Sequence, residues 1–189
     1  MTASPTPSPA LSEATFAGGC FWCLASAFGQ LRGVHQVESG YSNGEHPHPS
    51  YEAVCSGSTG HAEVVRVRFD PQVVSYGQLL DVFFALHDPT TLNRQGHDVG
   101  TQYRSGIYTH SPEQAQQARA LIEHLSISRV YPAPIVTEIE PVRNYHAAEA
   151  YHQGYVERNP QQGYCAMVVA PKLAKFRKTF AELLQNDSP

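Results

Sequence analysis

The chain carries no surplus of positive charge: 13 Lys and Arg stand against 17 Asp and Glu, a net charge of −4 with His neutral. It has no polybasic cluster, which argues against nucleic acid or an anionic membrane surface as a partner. No apolar run approaches the ~20 residues that span a bilayer. Met1–Ser12 contains no Lys or Arg and no apolar stretch, which does not fit a secretory leader. Cysteine is scarce, with four in 189 residues. Two of them lie in one Cys-x-x-Cys, a usage that fits catalytic thiols in a reducing compartment better than a disulfide scaffold. A cytoplasmic monomer is expected. Tryptophan is rarer still and occurs once, inside Gly18-Gly19-Cys20-Phe21-Trp22-Cys23.

That stretch reads as strand end, glycine turn and helix start. An apolar run through Phe16 precedes it and a helical segment, Leu24 to Leu31, follows. Cys20 then falls on a first turn, where free N–H groups and the helix dipole favour a thiolate, the nucleophilic form. Cys23 lies one turn on, on the same side. Cys-x-x-Cys alone leaves three readings open: buried structural thiols, half of a zinc site, and redox or nucleophilic chemistry. The intervening Phe21 and Trp22 favour the last, because they wall a pocket beside a sulfur and a zinc knuckle has no use for them.

Met1–Ser12, rich in Pro, Ser and Thr, buries too little to order itself, so residues 1–13 are expected to be a loose tail and 14–185 one catalytic domain. His61 to Phe69 reads as a strand. Glu63 shares a face with Val65, Val67 and Phe69, while Arg66 and Arg68 lie on the other. A carboxyl on an apolar face is costly to ionise, so its pKa rises and it becomes a proton donor at neutral pH. The other reading is that Glu63 reaches solvent from the strand end.

Ser75 caps a structural helix running to His87. The long polar loop from His87 to Ser105 is dense in hydrogen-bonding groups, and Tyr103 favours its being ordered. Ser111-Pro112-Glu113-Gln114 starts a second structural helix, with Ala118, Leu121, Ile122 and Leu125 inward. Ile135–Ile139 reads as a strand. Cys55, without a partner at motif spacing, reads as a small buried residue. His146, Glu149 and His152 read as one polar face of a helix, and His46 and His48 as loop residues rather than ligands, so no metal site is expected. Pro171-Lys172 opens a last amphipathic helix. Strands and helices interleave without a regular βαβ repeat, which points to an α+β domain of two layers.

Together these stretches resemble the A-type peptide methionine sulfoxide reductases. The matching pieces are Gly19-Cys20-Phe21-Trp22, Gly40-Tyr41, Gly60-His61-Ala62-Glu63, His87-Asp88-Pro89-Thr90, Gln95-Gly96-His97-Asp98, Gly100-Thr101-Gln102-Tyr103-Arg104-Ser105 and Gly163-Tyr164-Cys165. The resemblance implies a single α+β domain with a mixed sheet, related to the ferredoxin-like arrangement. It implies that Cys20 attacks the sulfur of methionine S-sulfoxide, free or in proteins. Glu63 would protonate the oxygen, Tyr41 and Tyr103 would hydrogen-bond it, and Asp98 would position that network. Phe21 and Trp22 would hold the methyl group.

The resulting sulfenic acid would condense with a second thiol, and thioredoxin would clear the disulfide. No metal, flavin or nicotinamide motif is present, so no cofactor is expected. Cys165 matches the family's resolving position, yet Ala166-Met167-Val168-Val169 and a helix replace the usual glycine-rich tail, so Cys23 stands beside it as the resolving thiol. Ala25, Asn43 and His97 are further departures, and none removes a group the chemistry uses. A general thiol-disulfide oxidoreductase using Cys20 and Cys23, and a zinc module, are the alternatives.

Overall fold

Alternating apolar residues make Ser12–Gly18 (β1) a central strand, flanked by Ala62–Phe69 (β3) and Ser105–Thr109 (β6), both antiparallel to it. Val34–Ser42 (β2) pairs antiparallel with β3, and His146–Ala147 (β8) closes that edge. Glu138–Pro141 (β7) runs parallel to β6, so the six-stranded sheet, in the order β7-β6-β1-β3-β2-β8, is mixed. A small hairpin, Arg94–Gln95 (β4) with Asp98–Val99 (β5), stands apart from it. The computed structural model describes residues 10–185.

Helices cover one face. Phe21–Phe28 (α1), Tyr76–Leu86 (α3), Pro112–Ile127 (α4) and Ala170–Thr179 (α6) bury their apolar stripes there, while Tyr51–Cys55 (α2) and Tyr155–Arg158 (α5) are short. Phe16 of β1 lies between Phe28 and Phe83, with centroids 5.2 Å and 5.1 Å away. Each such ring contributes roughly 2–3 kcal/mol of burial. On the opposite face Val142 and Tyr145 cover Ala62, Val64 and Tyr108. These two layers are the expected α+β architecture.

The helix starts follow their capping residues. Ser75 Oγ accepts from Gln78 N–H at 3.1 Å, and the Gln78 side chain accepts from Ser75 N–H at 2.9 Å. Ser75→Ala is expected to cost about 1 kcal/mol, read as a lower denaturant midpoint at unchanged m-value.

Several expectations are corrected. Ser12 and Glu13 belong to β1, so the domain begins before residue 14, while residues 1–9 of the expected tail lie outside the described residues. The Ile135–Ile139 strand is shifted to Glu138–Pro141, where Ile139 pairs with Ile107. His146 to His152 do not share a helix. His146 joins the sheet and Ala150–His152 is a single 3₁₀ turn, because Ala148 N–H and Gln153 are drawn onto the Ser39 backbone. Cys55 is exposed, since α2 ends there and its buried contact is made by Val54 instead.

Candidate active site

The glycine turn leads directly into the helix, as its sequence suggests. Cys20 is the residue capping α1, and Phe21 opens its first turn. The turn before it requires glycine: Gly19 has φ +88°, and a Cβ there would stand 2.6 Å from Cγ of Gln95. Gln95 is itself fixed, exchanging two 3.0 Å hydrogen bonds with the Asp88 backbone, and this closes the long loop against the cysteine turn. The same loop delivers Asp98 on β5 and Tyr103 on a 3₁₀ turn, Thr101–Tyr103.

These elements enclose a hollow of about 160 Å³ lined by Cys20, Phe21, Trp22, Tyr51, Glu63, Asp98, Tyr103 and Tyr164. Glu63 is 2 % exposed, so the solvent-reaching alternative does not hold. Its Oε2 accepts the Phe21 N–H at 3.1 Å, one of the orphan donors of α1. Burial pushes the carboxyl up to about 8, with Asp98 adding to the rise and the Phe21 N–H opposing it. Glu63 is therefore a carboxylic acid at pH 7, able to donate a proton.

Cys20 departs from expectation. Burial raises its thiol well above the ordinary value, and the neighbouring Glu63 and Cys23 add to this. The Trp22 N–H and the Tyr164 hydroxyl favour the thiolate but do not outweigh burial. The resting group is a thiol. The helix-terminus effect is typically worth 0.3–1 kcal/mol, roughly half a pKa unit, which is less than the desolvation of a buried anion.

Tyr103 lines the hollow, and among the described residues its hydroxyl makes no hydrogen bond to protein. Tyr41 is placed differently from expectation. It pairs with Glu63 across β2 and β3, but its hydroxyl donates to Glu149 Oε2 at 2.9 Å and its side chain does not line the hollow. Tyr51 and Tyr164 do line it. The Tyr164 hydroxyl donates to Asp98 Oδ2 at 2.7 Å and lies beside the Cys20 sulfur.

A second network holds the aromatic wall. Trp22 stacks on Tyr155 at 3.8 Å, and its Nε1–H donates to Nδ1 of His152 at 3.1 Å. Nε2 of His152 faces Glu149 Oε2 at 3.4 Å, and Glu149 Oε1 accepts the Tyr51 N–H. Glu149 thus ties the Tyr41 hydroxyl to the Tyr51 backbone, and His152 orients Trp22. Burial lowers the His152 pKa, so the ring is neutral and Nδ1 is free to accept. Tyr51, Tyr164, Glu149 and His152 were not identified from sequence. The available signals were Tyr164 beside Cys165, and Glu149 three residues before His152.

Cys23 is buried on α1, and Cys165 is buried in a π-helical turn, Cys165–Val169, that runs into α6. All four cysteines are free thiols. Among the described residues no group of three or more His, Cys, Asp or Glu is arranged to hold a metal. The His61 ring bonds the His46 carbonyl at 2.9 Å.

The family model for peptide methionine sulfoxide reductase matches residues 12–184. The chain belongs to the peptide methionine sulfoxide reductase family. It is 56% identical over 176 residues to the peptide methionine sulfoxide reductase MsrA of Polynucleobacter asymbioticus, covering 93% of each chain. Methionine sulfoxide reductase A of Corynebacterium diphtheriae has a similar structure, with a TM-score of 0.78 and 38% identity over 85% of this chain and 80% of that one. Mxr1 of Saccharomyces cerevisiae in complex with Trx2 aligns with a TM-score of 0.53 and 27% identity, covering 81% and 92% of the two chains. Within this methionine sulfoxide reductase family, the chain brings Cys20, Phe21, Trp22, Glu63, Asp98 and Tyr103 to one hollow. Among its described residues no helix is long and apolar enough to cross a membrane.

Proposed function

We propose that this protein reduces methionine S-sulfoxide, free or in proteins, to methionine, with thioredoxin as reductant. The observation that carries the reading is a neutral carboxylic acid, Glu63, sharing an aromatic-walled hollow with the Cys20 sulfur. Glu63 gives its proton to the sulfoxide oxygen. The Cys20 sulfur attacks the sulfoxide sulfur, and the thiol's own proton restores Glu63. The products are methionine and Cys20–S–OH, so one oxygen moves and no proton is gained or lost.

Tyr103 donates to the oxygen. Asp98 and Tyr164 order the polar side of the hollow, and Tyr41 acts through Glu149 rather than on the substrate. Phe21 and Trp22 seat the methyl group, whose burial is worth only about 0.8 kcal/mol, so they chiefly orient it. Polar contacts to the oxygen supply more, since one preorganised donor is worth about 3 kcal/mol.

Cys23 resolves first, and the Cys20 sulfenic acid and the Cys23 thiol yield a disulfide and water. Its place on the opening turn of α1, three residues after Cys20, supports this order. Cys165 then exchanges into the Cys23 sulfur, and reduced thioredoxin clears the bond. The complex of yeast Mxr1 with Trx2 supports thioredoxin in that role. Free thiols cleared in this way fit the cytoplasm, and a site built from one chain fits a monomer.

The test is turnover of the two separate epimers of methionine sulfoxide with reduced thioredoxin. Consumption of the S epimer alone is expected. Consumption of the R epimer alone, or insulin reduction without sulfoxide turnover, refutes the reading.

A further inference from the structure

His152 does not line the hollow, yet it packs against both aromatic rings that flank the Cys20 sulfur. Its ring centroid lies 5.0 Å from that of Phe21 and 5.8 Å from that of Trp22. Tyr51, a third lining residue, packs on it at 4.5 Å, and Tyr151 at 4.1 Å. The residue is 1 % exposed.

The two nitrogens of this ring are used unequally. An indole N–H only donates, so the 3.1 Å bond from Trp22 Nε1 requires an unprotonated Nδ1. The ring proton of the neutral imidazole then sits on Nε2. Among the described residues Nε2 has no hydrogen-bond partner, and Glu149 Oε2, 3.4 Å away, accepts the Tyr41 hydroxyl. A buried N–H left unpaired is destabilising, and an apolar side chain in the same place would carry no such group. What histidine adds here is the acceptor at Nδ1.

That acceptor supplies what stacking does not. Trp22 lies on Tyr155 at 3.8 Å and 6°, which fixes the plane of the indole but lets it slide or turn within that plane. A hydrogen bond is directional and removes this freedom.

We infer that His152 is a positioning residue for substrate specificity: by holding Trp22 through Nδ1 and backing Phe21 it keeps the alkyl seat of the hollow at the size of a methyl group. The inference rests on the proposed reading that Phe21 and Trp22 seat the S-methyl group. The hollow is only about 160 Å³, so the position of one indole decides whether a longer S-alkyl chain enters. One added methylene in an apolar pocket changes kcat/KM about 10- to 200-fold, and a wall free to turn forfeits most of that difference.

His152→Leu and His152→Asn form the test. They are close in size and lose the same ring packing. Asparagine carries its amide oxygen as many bonds from Cα as Nδ1, whereas leucine has no acceptor, so the difference between the two variants reads the hydrogen bond. Turnover with reduced thioredoxin is measured for the S epimers of methionine sulfoxide and of its S-ethyl and S-propyl homologues. Trp22 is the only Trp of the chain, so acrylamide quenching of intrinsic emission reports on that ring alone.

His152→Leu is expected to lower the preference for methyl over ethyl and propyl about 10-fold, chiefly through KM, and to make Trp22 easier to quench. His152→Asn is expected to keep the preference within about 3-fold of wild type and the quenching close to it. Wild-type preference and quenching in His152→Leu overturn the inference. Equal losses in the two variants overturn it as well and mark packing alone, as does a wild type that does not distinguish the three sulfoxides. Trp22→Phe removes the donor and leaves His152 in place, so an unchanged preference in that variant also overturns the inference. A wild type that reduces none of the three refutes the proposed function itself, whereas the other failures leave methionine sulfoxide reduction standing.

Discussion

Cys20→Ser is expected to reduce sulfoxide turnover to background while leaving binding of the sulfoxide intact. Serine keeps the cap position of α1, and the walls of Phe21, Trp22, Tyr51 and Tyr103 do not depend on the sulfur. What is lost is the only atom of the hollow that can accept the oxygen and pass it on. A serine hydroxyl has no sulfenic state, and its alkoxide is far less accessible than a thiolate in a site where even the thiol is held up by burial. The measurement is paired: methionine release in a single turnover, and sulfoxide binding by titration calorimetry. Methionine release at the wild-type rate would remove Cys20 from the nucleophilic role. Lost binding together with lost turnover would mean that the substitution had collapsed the pocket.

The parts of the site that lie close together in sequence were legible in it. Phe21 and Trp22 flank the cysteine, and two-residue alternation puts Glu63 on the apolar face of its strand. The ionisation of Cys20 was not legible, because it is a balance. A helix terminus stabilises the anion modestly, whereas the cost of desolvation depends on how tightly β3, the 98–103 loop and the segment around Tyr164 close over the sulfur. Glu149 and His152 were misread for a related reason. Their spacing fits a helix face, but their partners, Tyr41 and Trp22, lie 108 and 130 residues away. No local pattern reports such contacts. Cys55 illustrates the opposite error, since a residue type that is usually buried sits on the last residue of a short helix whose contact with the core is made by its neighbour Val54.

Glu63→Gln tests the other half of the chemistry through pH as well as rate. Glutamine is nearly isosteric and keeps an oxygen to accept the Phe21 N–H, so α1 should remain capped. It has no acidic proton, and loss of a general acid costs about 10²–10⁴-fold in the reduction step. The wild-type rate should be flat below pH 8 and fall about tenfold per unit above it, as the donor form is lost through its value of about 8. Ionised Glu63 also raises the Cys20 thiol further, so the two losses reinforce one another rather than compensating.

The same shift fixes the sign for stability. The folded value lies above the ordinary 4.5, so the native state takes up a proton on folding across this interval. The contribution is complete below about 4.5 and is lost as pH rises towards about 8. Glu63→Gln should flatten that slope in the denaturant midpoint and abolish the alkaline limb of the rate. Asp98 adds to the Glu63 shift, so Asp98→Asn should move the limb to lower pH without removing it. An alkaline limb that persists unchanged in Glu63→Gln would assign the titration to another group and take the proton-donor role away from Glu63.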